Sequence, residues 1–69
     1  MKKYAIRIKE LRLEKNLTQK ELGIKTNISQ SNIARYEQGT TEPTVTNLIS
    51  LCDFFNVCSD YLIGRQDYL

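Results

Sequence analysis

LTQKELGIKTNISQSNIARYEQG, residues 17–39, contains two short helical patterns, each opened by a capping residue and joined by a tight turn. Thr18 and Glu21 form a T-x-x-E capping box: the hydroxyl satisfies an orphan amide of the first turn, and the carboxylate reaches back to the cap's own amide. A helix therefore starts at Gln19. Leu22 and Thr26 lie one turn apart on a single face, and Asn27, a residue type that readily turns left-handed, ends the pattern. Ile28 precedes Ser29, a good N-cap, and Ile33 and Tyr36 give the next segment an apolar edge closed by Gly39. The spacing predicts a second helix from about Gln30 to Gln38. Between its buried residues it exposes Gln30, Ser31, Asn32, Ala34 and Arg35. Amide and guanidinium groups near a helix N-terminus are suited to pairing with base edges in a major groove.

Upstream, Tyr4 to Asn16 reads as helix, with Ala5, Ile8, Leu11 and Lys15 at helical spacing and Arg12 one position off that seam. Asn16 is a left-handed closing residue, and Leu17 is the hydrophobic staple before the Thr18 cap. Downstream, GTTEP at 39–43 is turn-forming, and Pro43 bars helix until Thr44. A fourth helix starts at Thr44 or Thr46. Its core-facing stripe is Leu48, Leu51, Cys52 and Phe55, and it ends near Asn56. Val57 anchors the following turn, and residues 59–63 form a short last helix closed by Gly64, ahead of a tail at 65–69. Five helices sharing one core imply a compact all-α domain covering 1–69, with its core in 5–64.

The 69 residues carry a net charge of +2 that hides an asymmetry. Residues 1–35 hold nine Lys or Arg against three Glu, a balance of +6, whereas residues 36–69 hold Arg65 against five acids, a balance of −4. A cationic half suits a polyanion such as duplex DNA, and an acidic half suits a distal or partner-facing role. Solvated helix surface would give the same counts. The chain has no histidine and only Cys52 and Cys58, so neither a metal site nor a cofactor is expected. Cys52 reads as a buried small hydrophobe and Cys58 as a loop residue; spacing leaves a disulfide open, but nothing else suggests secretion. No stretch approaches the ~20 apolar residues needed to span a bilayer, so a soluble cytoplasmic protein is expected, with no membrane partner. Without His, G-x-S-x-G or a phosphate-cradling glycine loop, catalysis is not expected.

IKELRLEKNLTQKEL at 8–22, SQSNIARYEQG at 29–39, EP at 42–43 and LISLCDFFNVCSDYLIG at 48–64 together resemble the phage-repressor and Cro-like helix-turn-helix family, also called the Xre family. The resemblance covers residues 5–64. It implies a five-helix, lambda-repressor-like domain that docks its third helix in the major groove and works as a homodimer on a two-fold operator, most simply as a repressor. Gln30, Ser31 and Arg35 match the family's base-contacting positions, and their chemistry agrees with adenine, either base, and guanine respectively. Gln19 at the start of helix two and the backbone amides at Gly39 and Thr40 are the matching phosphate contacts; Asn32 is a further phosphate candidate, and Lys20 and Lys25 are either compensating phosphate-facing cations or solvated ones. Lys2, Lys3 and Arg7 extend that reach if the N-terminus folds against DNA. Arg12 and Glu37 match a structural ion pair tying helix one to the end of helix three.

Three departures stand out. Thr40 and Thr41 replace the Lys or Arg common after the glycine, which implies weaker or less salt-dependent binding. Gly23 replaces the usual Ala, at a helix penalty of about 1 kcal/mol unless close packing needs the missing methyl. Cys58 occupies the usual Ser-like cap position, with Ser59 one place later, which opens a shifted start for the last helix. Tyr61, Ile63, Tyr68 and Leu69 are the candidate dimer surface. The rival to a DNA reader is a protein-interaction module, such as an antitoxin or anti-repressor partner that binds through the acidic half.

Overall fold

Every helix among the described residues is followed by a left-handed residue, and three carry a side-chain cap at the start. The computed structural model describes residues 2–68. Leu69, one of the candidate dimer residues, lies outside them. The order is α1 (Lys3–Glu14), α2 (Gln19–Thr26), α3 (Gln30–Gln38), α4 (Val45–Phe55) and α5 (Ser59–Leu62), with no strand among the described residues. Asn16, Asn27, Gly39, Asn56 and Gly64 all have φ between 56° and 90°. Thr18, Ser29 and Thr44 each accept the backbone N–H three residues on, at 3.0, 3.2 and 3.1 Å. These local bonds satisfy amides that helix geometry orphans, so the chain turns where the sequence places them.

The helices close around Ala5, Ile8, Leu22, Ile33, Leu51 and Leu62, each fully buried, with Tyr36 nearly so. Tyr36 keeps its hydroxyl satisfied by accepting from Nδ2 of Asn47 at 2.8 Å. Two expectations shift. On α1 the buried position is held by Arg12 rather than Lys15: the helix stops at Glu14, and Lys15 lies exposed with its ammonium 5.7 Å from the Phe54 ring. The last helix keeps its register. Cys58 takes the N-cap backbone conformation, Ser59 is the first helical residue, and the cap has no side-chain hydrogen bond. Both thiols are free, Cys52 buried and Cys58 exposed, and burial pushes the Cys52 thiol pKa up.

Gly23 sits where α2 meets the turn. A Cβ built there would lie 2.5 Å from the backbone carbonyl oxygen of Ile28, whose own N–H bonds Gly23 O at 2.9 Å. The missing methyl is therefore what lets the turn close. Gly23→Ala is expected to lower stability by about 1–3 kcal/mol despite alanine's better helix propensity. A chemical-denaturation curve checks this, and a stabilised variant would contradict it.

In the capping box, Thr18 N–H donates to Glu21 Oε1 at 2.8 Å and holds the Glu21 carboxyl below its ordinary pKa. A lowered folded pKa means this stabilisation is present above the ordinary carboxylate range and is lost as pH falls through the folded value. Glu21→Gln should therefore be less stable than wild type at neutral pH, and the two should converge in acid. Melting temperatures measured across a pH series read this directly; parallel curves would contradict it.

Candidate nucleic-acid interface

The outer face of α3 follows from its inner one. Ile33, Tyr36 and Glu37 are buried, which turns Gln30, Ser31 and Arg35 outward into solvent. Ser31 Oγ lies 3.3 Å from Ser29 Oγ, so the first turn presents two hydroxyls beside the Gln30 amide. One turn along, Arg35 Nη1 donates to Oδ1 of half-buried Asn32 at 2.9 Å. The Asn32 carboxamide oxygen is thus engaged by a neighbour on the same helix, at the i, i+3 spacing that brings such pairs together.

Two pairs of backbone amides lie next to this face. The first intrahelical bond of α2 is Leu22 N–H to Thr18 O at 3.0 Å, and that of α3 is Ile33 N–H to Ser29 O at 3.0 Å. Caps take Glu21 and Asn32, so Gln19, Lys20, Gln30 and Ser31 keep amides without intrahelical partners, at helix ends that carry partial positive charge. Lys20 is exposed and shares a concavity with Ile24 and Gln30 between α2 and the start of α3. Lys25 is also exposed.

The amides of Gly39 and Thr40, expected to face an anion, are already engaged within the chain. Left-handed Gly39 lets its own N–H bond Tyr36 O and the Thr40 N–H bond Arg35 O, both at 3.1 Å. This is the Schellman closure, and it spends both donors. The Thr40 hydroxyl also donates to Arg35 O, at 3.3 Å. Gln19 is partly engaged as well: its Nε2 donates to Glu37 Oε1 at 3.2 Å, which leaves one amide proton and the backbone N–H without an intrachain partner.

Behind the face, Arg12 and Glu37 form a fork: Nε to Oε2 at 2.7 Å and Nη2 to Oε1 at 3.0 Å, with Nη1 donating to Leu17 O at 2.8 Å. Glu37 therefore gathers α1, the start of α2 and the end of α3 onto one carboxylate. The hydrogen bond to Glu37 raises the Arg12 pKa above its usual value, so the guanidinium stays charged.

The N-terminal cations are deployed differently from the expectation. Arg7 turns inward. Its Nη1 donates to the carbonyls of Tyr61 and Gln66, its guanidinium lies 4.2 Å from the centre of the Tyr61 ring, and Nη2 is 3.4 Å from Asp67. Lys3 packs its stem against Gly64. Tyr61 is thereby half-buried, whereas Ile63 and Tyr68 are exposed. Val45 and Ile49, one turn apart on α4, are exposed as well. They lie off the apolar stripe that the sequence pattern picks out.

Comparison with known proteins agrees with this geometry. The helix-turn-helix family profile matches residues 8–62. The HTH-type transcriptional regulator ImmR of Bacillus subtilis (strain 168) is 38% identical over 61 residues, 88% of this chain and 48% of its own. The chain thus spans about half the length of that relative. The P22 c2 repressor, solved in complex with a synthetic operator, superposes with a TM-score of 0.88 at 27% identity over 96% of this chain and all of its own. A chain of the SinR protein/SinI protein complex gives 0.81 at 25% identity over 94% of this chain and 65% of its own. The chain belongs to the helix-turn-helix family, with the fold of a phage-repressor DNA-binding domain.

Proposed function

We propose that this chain is a cytoplasmic, sequence-specific DNA-binding transcriptional regulator, most simply a repressor, that reads an operator through α3 in the major groove and binds as a homodimer. The single observation that carries the reading is the face built from Gln30, Ser31 and Arg35, flanked by unpartnered helix-start amides and Lys20. Base-edge donors lie at its centre and phosphate donors at its border, which is the division of labour a duplex reader needs. No catalytic role, cofactor or metal enters this reading, and residues 1–69 act as one domain. Exposed Ile63 and Tyr68 supply the apolar surface for the second copy.

A second reading has its own support. Exposed Val45, Ile49, Ile63 and Tyr68 sit in the acidic half, and one structural neighbour is a chain of a protein–protein complex, that of SinR with SinI. Here the chain would bind a partner protein instead of reading DNA.

Selection of bound duplexes from a random pool near physiological salt separates the two, because salt suppresses non-specific phosphate binding. The proposal expects enrichment of a two-fold site with half-sites about one helical turn (~34 Å) apart. Folded protein that enriches nothing favours the partner-binding reading.

A further inference from the structure

We infer that Asn32 is a positioning residue for Arg35: it holds the guanidinium in the orientation that reads a guanine. The inference rests on the reading of α3 as the base-contacting helix.

The contact is Arg35 Nη1 to Asn32 Oδ1 at 2.9 Å. Asn32 is the stationary member. It is half-buried, its side chain is short, and its backbone N–H is fixed to Ser29 Oγ in the capped first turn. Arg35 is exposed and long, and a free arginine samples many rotamers. Ordering such a side chain on binding costs roughly two- to tenfold in affinity. A partner that orders it beforehand removes part of that cost.

The choice of partner matters too. Among the described residues no carboxylate pairs with Arg35, the two ion pairs being those of Arg7 and Arg12. A carboxylate would hold the cation equally well but would neutralise it and repel the phosphates on either side of the groove. A neutral carboxamide orients the guanidinium and leaves its charge intact. With Nη1 engaged, the Nε and Nη2 edge remains as a fork for guanine O6 and N7.

The test measures binding of wild type, Asn32→Ala, Arg35→Ala and the double variant to the selected duplex and to duplexes changed at each base pair, across a salt series. Asn32→Ala is expected to lose about three- to tenfold discrimination at the same base pair where Arg35→Ala loses its own, with the salt slope unchanged. The double variant should be no worse than Arg35→Ala at that base pair. Uniform weakening on every duplex, with discrimination kept at each base pair, would make Asn32 a general backbone contact and overturn the inference. So would losses that simply add in the double variant, or wild-type discrimination by Asn32→Ala. Wild-type protein that prefers no duplex would instead overturn the reading of α3, so the two failures are distinguishable.

Discussion

Arg12→Ala is expected to cost about 3 kcal/mol of folding stability, because removing one partner leaves the Glu37 carboxylate buried and unpaired. The side chains of Arg12 and Glu37 are 10% and 4% exposed, and Glu37 accepts from two different side chains. In a domain of this size that loss lowers the melting temperature by roughly 12–24 °C. It also frees the Leu17 carbonyl, which Arg12 holds from the other side of the guanidinium. Sequence preference should survive in the fraction that stays folded, since neither residue belongs to the exposed face of α3. A paired change, Arg12→Met with Glu37→Leu, should recover only part of the loss. It removes both charges but strands the Gln19 amide and the Leu17 carbonyl, each with one donor or acceptor to place. Thermal and chemical melts of the single and double variants check this, and an Arg12→Ala variant that melts with wild type would remove the ion pair from the account.

Replacing Gln30 and Arg35 together by alanine is expected to do the opposite: leave the fold intact and abolish discrimination. Both side chains are exposed, so stability should stay within about 0.5 kcal/mol of wild type. Each bidentate base pairing is worth about 1–3 kcal/mol of discrimination, so the double variant should bind its operator little better than unrelated duplex. The non-specific affinity should persist, because Lys20 and the amides of Gln19 and Lys20 remain. Titrations against operator and scrambled duplex measure the ratio, and a ratio unchanged from wild type would show that these residues do not read bases.

Much of this architecture is legible in the sequence because its punctuation is local. Thr18 with Glu21, Ser29, and left-handed Asn27 and Gly39 act on amides within a few residues of themselves, so their chemistry needs no knowledge of the fold. The core stripe of α4 is legible for the same reason, through helical spacing alone. What escaped depends on pairs far apart in the chain. Arg7 looks like a free cation near the N-terminus until α5 and the residues after it arrive to supply carbonyls and an aromatic face. Gln19 looks free until the end of α3 brings Glu37 to it. Arg12 and Glu37, 25 residues apart, are legible through the family resemblance and not through periodicity, which sets Arg12 beside the buried seam. The engaged amides of Gly39 and Thr40 are a different case. A left-handed residue closing a helix carries the Schellman bonds with it, so the same glycine that marks the end of α3 already implied that those donors are spent.

The claim at the centre of the account is that α3 reads base edges in the major groove, and methylation interference on the selected duplex tests it most directly. A methyl group on guanine N7 projects into the major groove and removes the acceptor that an arginine fork needs. The account predicts that N7 methylation within each half-site blocks binding, and that Arg35→Ala no longer responds to methylation at one of those guanines. Interference confined to minor-groove positions, or none at all on a duplex the protein binds selectively, would contradict it.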